Sequence, residues 1–325
     1  MEKPYIVFLT EYEHGLGSLE PVYKIFEKDA DVDATLISCR QPLNLERETR
    51  GLCGENFKLG PILVDRKPDV LVLFRNWWGP ENDVGRMARS LNIPVVMIDH
   101  GMIMVVGPIR QAYRSSIFPA TVGCLWSQLH LNMFRRVNSN DKLVVTGNPL
   151  YDQMIDYASP EIDVPDEFAL LLTQRAQQGI LGKSAEALNK IIPVVVKTHP
   201  TDDHKPYYRE RFRVFDDYQA MLPLLYKAKI VIACLSSAWI PALFWEKPIF
   251  IHHDYSYYDE NDLKFNEFKS NYSHIFNFKQ DNVWNNDVID NAIRPNKKHF
   301  EIFGHIPDGK NAERVAGVIN DYIER

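Results

Sequence analysis

Short apolar runs recur along this chain, each followed by a segment long enough for a helix. In the first half they are Tyr5–Thr10, Ala34–Ser38, Asp69–Phe74, Val95–Asp99, Val122–Trp126 and Leu143–Gly147. In the second half they are Phe168–Gln174, Val194–His199, Phe212–Phe215, Ile230–Leu235 and Ile249–His252. Most are nearly continuous in Val, Ile, Leu and Phe, with little polar alternation. A strand buried on both faces has no solvent side to make polar, so such runs mark parallel sheets covered by helices above and below. Their alternation with helical segments predicts an α/β chain of βαβ units wound into doubly covered sheets.

A chain of 325 residues exceeds one typical domain. The stretch Asp156–Glu167 interrupts the strand pattern with two prolines and five acids, a composition suited to a linker. The expected division is therefore a first Rossmann-like domain over 1–155, a linker over 156–167, and a second over 168–310. A terminal helix follows over 311–325, where Ala312, Val315, Val318, Ile319 and Ile323 fall near helical spacing. The two sheets are expected to face a cleft. Ligands of open α/β sheets lie beyond the carboxyl ends of the strands, so the residues that end each strand carry the functional reading.

Charge and cysteine usage narrow the setting. The formal net charge of −6 gives no overall pull toward nucleic acid or anionic lipid, although 37 Lys and Arg leave room for a local basic groove. Cys39, Cys53, Cys124 and Cys234 form no metal-type pair, and Cys124 and Cys234 sit in apolar runs as expected buried thiols of a reducing compartment. The first apolar run is far too short for a signal peptide, and no run is long enough to span a bilayer. A cytoplasmic protein that visits a membrane only peripherally is the expectation.

Several strand ends carry chemistry. The run Val95–Asp99 leads into His100-Gly101, where an imidazole beside a glycine can act as a base near neutral pH or simply satisfy a turn. Leu143–Gly147 continues into Asn148-Pro149-Leu150-Tyr151-Asp152, a turn that either only shapes the cleft, with Asp152 as a cap, or presents Asp152 as a catalytic acid. Thr173-Gln174-Arg175 offers an arginine for bidentate phosphate contact, or a surface charge. Lys197-Thr198-His199-Pro200 gathers an ammonium, a hydroxyl and an imidazole, an anion site or a capping turn. Ser236-Ser237 precede a helix, where free N–H groups could hold phosphate or serve as a plain cap. Glu246-Lys247-Pro248 closes that helix with a carboxylate able to meet ribose hydroxyls, or to pair on the surface. His14, Gly15 and Gly17 read as a glycine-bearing loop lining the cleft; a nicotinamide fingerprint would need a third glycine in place. The aromatic runs Asn76-Trp77-Trp78 and Tyr255–Tyr258 fit packing better than stacking on sugars. Clustered carboxylates with metal-ligand spacing are absent from the strand ends: Asp202-Asp203 follows a proline in a polar loop and suits a cap.

In order, His100-Gly101, Gly147-Asn148-Pro149-x-x-Asp152, Thr173-Gln174-Arg175, Lys197-Thr198-His199-Pro200, Ser236-Ser237 with Glu246-Lys247-Pro248, and Asp308–Arg314 resemble the CDP-glycerol glycerophosphotransferase family of teichoic-acid synthesis and related capsule glycosyltransferases. The related UDP-N-acetylglucosamine 2-epimerases share its architecture. The resemblance implies a GT-B fold, an acceptor-binding first domain and a donor-binding second domain. It implies a catalytic histidine at His100, a phosphate-contacting histidine at His199, and pyrophosphate held by Ser236 and Ser237. The membrane-binding and acceptor regions usual in the family's polymerases have no room here.

The resulting expectation is transfer of a sugar, or glycerol phosphate, from a nucleotide-diphosphate donor to an acceptor hydroxyl. His100 would be the base. Arg175, Lys197, His199, Ser236 and Ser237 would hold the donor phosphates, and Glu246 the ribose. The donor is a nucleotide-activated sugar or CDP-glycerol, used as substrate; no separate cofactor and no metal is expected. The acceptor is a glycan or polyol, with nucleic acid as a variant for a DNA-modifying glycosyltransferase. The rival readings are a 2-epimerase, for which the strand ends offer few carboxylates, and a silent sugar-nucleotide-binding protein.

Overall fold

The computed structural model describes residues 2–10, 13–38, 63, 66–74, 80–99, 101, 120–135, 142–173, 178–200, 202–234, 237–252, 268–279 and 283–323. It divides into two compact units. The described parts of Met1–Met102, Pro108–Asp156 and Glu301–Arg325 form the first, and those of Tyr157–Phe300 the second.

The first unit holds strands β1 (Tyr5–Thr10), β2 (Asp33–Ser38), β3 (Val70–Leu73), β4 (Val95–Ile98), β5 (Val122–Leu125) and β6 (Leu143–Val145). They form one six-stranded sheet in the order β2-β1-β3-β4-β5-β6, parallel at every pairing. Side chains alternate between its faces. Ile6, Phe8, Val70, Val72, Val96 and Ile98 pack with helices α1 (Glu13–Glu27) and α10 (Asn311–Ile323). Val7, Leu9, Leu71, Leu73, Val95 and Met97 pack with α2 (Pro80–Ser90) and α3 (Gln128–Arg135). Both faces are thus apolar, which is why the strands read as continuous hydrophobic runs. In α10, Ala312, Val315, Ala316 and Ile319 are buried at helical spacing against the sheet. Each fully buried Val or Ile contributes about 1.5–3 kcal/mol.

The second unit holds β7 (Ala169–Leu172), β8 (Val194–Lys197), β9 (Arg213–Phe215), β10 (Ile230–Ala233), β11 (Ile249–His252) and β12 (Asn277–Lys279). The sheet order is β12-β11-β10-β7-β8-β9, again wholly parallel. Helices α4 (Gln178–Leu188), α5 (Lys205–Arg209), α6 (Met221–Lys227), α7 (Ile240–Phe244), α8 (Asn286–Asp290) and α9 (Lys297–Gly304) connect or follow these strands. Renumbered from β7, the order is 3-2-1-4-5-6, that of dinucleotide-binding doubly wound sheets.

The chain's division differs in detail from the sequence expectation. Residues 157–165 form neither helix nor strand, but the segment is held to the second unit. The Tyr157 ring packs 5.2 Å from Trp245 and 5.5 Å from Tyr226, and Asp163 pairs with Arg213. At the other end the chain returns to the first unit from Glu301, so 301–310 belong with α10. Strand β12 has no counterpart in the sequence reading. It is a three-residue edge strand, Asn277–Lys279, with half-buried side chains and no apolar run to betray it.

Candidate functional site

Each sheet has a carboxyl edge with polar turns, and the two are built differently. In the first unit, β6 runs into Gly147, whose φ of +79° is left-handed; a Cβ there would lie 2.0 Å from Asn311 Oδ1. Only glycine fits both the dihedral and the contact. The Asn311 side-chain amide donates to the Asn148 carbonyl at 3.1 Å. Asn148 Oδ1 accepts from Ser18 Oγ at 2.8 Å and from Leu150 N at 3.0 Å. Asp152 reaches the start of α10, where its Oδ1 accepts from Asn311 N at 2.9 Å and its Oδ2 from Ala312 N at 2.7 Å. Burial pushes the Asp152 carboxyl up, and these two N–H bonds oppose the shift. Arg314 pairs with Asp308 and donates to Asn311 Oδ1 at 3.1 Å. Two motifs more than 150 residues apart in sequence are therefore one clasp, and Asp152 is a helix cap as its turn setting indicated.

The segment containing His14, Gly15 and Gly17 is not a loop. It forms the first turns of α1. Gly15 is required by close approach: a Cβ there would lie 2.1 Å from Thr10 Oγ1 and 2.8 Å from Phe74 Cδ1. The expected cleft loop is thus a packed helix start, and Ser18 on the same helix is bonded to the clasp.

His100 lies outside the described residues, but its chain neighbour does not. Asp99 and His130 are both 1 % exposed, with His130 Nε2 2.8 Å from Asp99 Oδ2. Trp126 N donates to His130 Nδ1 at 3.4 Å. The Trp126 indole donates to the Asp99 carbonyl at 2.7 Å, and Asp99 N donates to the Cys124 carbonyl at 3.0 Å. Asp99 is held at main chain and side chain immediately before His100. The sequence reading missed this pair; the available signal was an aspartate closing an otherwise apolar strand. Cys124 and Cys234 are buried free thiols, each pushed up to about 12 by burial.

In the second unit the switch of strand order lies between β7 and β10, and β8 is the next strand beyond β7. Thr173, after β7, accepts from His199 N through Oγ1 at 3.0 Å, and Thr173 N donates to the Lys197 carbonyl at 3.1 Å. Lys197 is 3 % exposed, and its ammonium donates to the carbonyls of Thr198 at 2.9 Å and Asp216 at 3.3 Å. Those bonds turn it toward the main chain that shapes the edge. Thr198 Oγ1 donates to Asp216 Oδ1 at 2.6 Å, and Arg209 pairs with the other oxygen. Burial pushes the Asp216 carboxyl up, but the Thr198 and Arg209 bonds outweigh it and hold the group below its ordinary value. His199 is half-buried. Burial first, then the Lys197 charge, lowers its proton affinity, while Asp202 raises it.

Ser237 is half-buried and opens a 3-10 turn, Ser237–Trp239, that leads into the five-residue α7. Arg175 and Ser236 lie outside the described residues. Glu246 does not share this edge. Glu246 N donates to the Leu243 carbonyl at 3.1 Å and Lys247 N to the Ala242 carbonyl at 3.0 Å, a Schellman motif with Glu246 at the left-handed position, φ +55°. Pro248 follows, and Ile249 then pairs with Val231 near the start of β10. In a parallel sheet that entry point is the amino edge, opposite Thr173, His199 and Ser237. The expected ribose contact by Glu246 is corrected accordingly: the residue terminates a helix.

Among the described residues no group of three or more His, Cys, Asp or Glu is placed to hold a metal ion, and no helix is long and apolar enough to cross a membrane. No family model and no curated protein matches the sequence. Solved structures do match. MnaA of S. aureus, solved with UDP, superposes with a TM-score of 0.69 at 12 % identity over 99 % of this chain and 97 % of that one. The UDP-GlcNAc 2-epimerase of Methanocaldococcus jannaschii gives 0.62 at 16 % over 98 % and 99 %. The wall teichoic acid polymerase TagF, in a crystal soaked with CDPG, gives 0.64 at 13 % over 98 % and 88 %. With two doubly wound parallel sheets and these neighbours, the chain has the α/β GT-B fold.

Proposed function

We propose that the chain is an enzyme that transfers a glycosyl group, or glycerol phosphate, from a nucleoside-diphosphate carrier to an acceptor hydroxyl. The strand order of the second sheet carries the reading. Ligands of such sheets sit beyond the carboxyl ends at the switch point, and that edge carries Thr173, His199 and Ser237. His199 is proposed to contact the donor phosphates, with Ser237 and the undescribed Ser236 and Arg175 completing the anion site. Lys197 is proposed to act indirectly, by fixing the main chain under His199. His100 is proposed as the base that takes the acceptor proton as the new bond forms. The diphosphate leaves with the negative charge that the second-unit edge stabilises. The acceptor is proposed to be a glycan or polyol hydroxyl.

Thermal unfolding with UDP, CDP and GDP tests the donor class. A ligand at 100 times its Kd adds about 2.7 kcal/mol, so the correct base should stand out. A second reading, 2-epimerisation, is favoured by the likeness to the UDP-GlcNAc 2-epimerase of Methanocaldococcus jannaschii, which aligns with nearly the whole chain. Incubation with UDP-N-acetylglucosamine and no acceptor separates the two: only an epimerase converts it.

A further inference from the structure

The loop after β8 contains a buried acceptor that no described residue uses. Asp202 is 4 % exposed. Its main-chain N–H donates to the His199 carbonyl at 3.0 Å, closing a turn, and its charge acts on the His199 ring. Its Oδ1 accepts from His204 N at 2.9 Å and lies 3.3 Å from His204 Nδ1. Its Oδ2 is buried and has no hydrogen-bond partner among the described residues. A buried carboxylate oxygen left unpaired is destabilising, so its retention points to a donor that arrives with a ligand. Among the described residues, the charged groups that act on His199 include Lys197 on β8, Asp202 in the loop and Lys205 at the start of α5; of these three, Asp202 favours the imidazolium. Thr173 on β7 fixes the His199 main chain at 3.0 Å.

We propose that Asp202 is a positioning residue for His199: when a nucleoside diphosphate binds, the ring takes up a proton, donates one N–H to Asp202 Oδ2 and turns the other to the phosphate. The inference rests on the proposed role of His199. The negative charge of a diphosphate offsets the burial and the Lys197 charge that oppose the imidazolium. The carboxylate behind the ring fixes its orientation and its second proton, as second-sphere carboxylates do for other functional histidines. The proton comes from solvent, so nucleotide affinity should fall as pH rises.

The test is calorimetry of UDP and CDP binding, in two buffers of different ionisation enthalpy, on the wild type, Asp202→Asn and His199→Ala. Asparagine keeps the acceptor for His204 N and removes the charge, so thermal stability should hold while UDP or CDP affinity falls about tenfold, as for loss of one charge-assisted bond. Proton uptake at pH 7 should fall with it; the phosphate's own titration cancels in the difference between proteins. If His199→Ala weakens binding and Asp202→Asn changes neither affinity nor proton uptake, the inference is overturned and the site reading stands. If the wild type binds and His199→Ala binds equally well, the site reading itself falls. Should Asp202→Asn not fold, nitrogen-15 histidine spectra of the wild type decide. The UDP or CDP complex should show His199 protonated on both nitrogens, with His199→Ala assigning the signal. A neutral ring in that complex would overturn the proposal.

Discussion

Two polar turns sit at the carboxyl edges of the two sheets, and they handle their polar groups in opposite ways. In the turn after β6, both oxygens of Asp152 accept N–H groups of α10, and Asn148 Oδ1 accepts from Ser18 and Leu150. In the turn after β8, Asp202 commits one oxygen to His204 and leaves the other buried, with no partner among the described residues. Both stand out in the sequence as short motifs after strands. The difference is physical: a turn whose acceptors are spent internally holds the fold, whereas the acceptor left in the β8 turn is the one proposed to meet a ligand-bound His199.

The comparison breaks if the clasp proves to be the ligand site. Asp152→Ala removes two charge-assisted bonds and a helix cap, and should destabilise the protein by about 3 kcal/mol in urea titration. The folded fraction should bind UDP or CDP as the wild type does; a selective loss of nucleotide affinity would move the site to the first unit. Gly147→Ala should cost about 2 kcal/mol, from the left-handed backbone and the displaced Asn311 amide. A stability change under 0.5 kcal/mol by the same assay, about the spread of neutral surface substitutions, would mean that the clasp does not need that contact.

Glu246→Gly tests the correction made on topology. Glycine accepts the left-handed backbone without strain, so the variant should gain about 1 kcal/mol and keep its nucleotide affinity. Weaker nucleotide binding would show that the amino-edge assignment is wrong. The smallest expected effect is in acid. Asp216 is held below 3.8, so its contribution is present above that value and lost as pH falls through the lower folded one. Asp152 is raised above 3.8, so protonation as pH falls through its folded value favours the folded state. Asp216→Asn should flatten the acid limb of the stability profile, and Asp152→Asn should steepen it. Equal slopes would contradict the opposed environments.

Much of the architecture was legible because burial on both faces leaves a plain mark. All eleven apolar runs overlap a strand, and β1 and β11 match their runs end to end. The twelfth strand, Asn277–Lys279, is short and at an edge, so burial imposed no run on it. Local chemistry also marked Asp152 as a cap, but which helix it caps depends on a contact 159 residues away. Glu246 was misread because motif order says nothing about which edge of a sheet a residue reaches; the path of α7 decides that. His14–Ser18 looked like a loop for its glycines, yet Gly15 is there to let α1 approach Thr10 and Phe74. The Asp99–His130 pair joins β4 to α3 across 31 residues, and no local pattern announces it.

The central claim is that the second unit's carboxyl edge binds a nucleoside diphosphate through His199. Calorimetric titration of the wild type and His199→Ala with UDP and with CDP tests it directly. The account predicts saturable binding of at least one of them to the wild type, weakened about 10–100-fold in His199→Ala, with thermal stability preserved. Failure of the wild type to bind either nucleotide, or equal affinity in the variant, would contradict it.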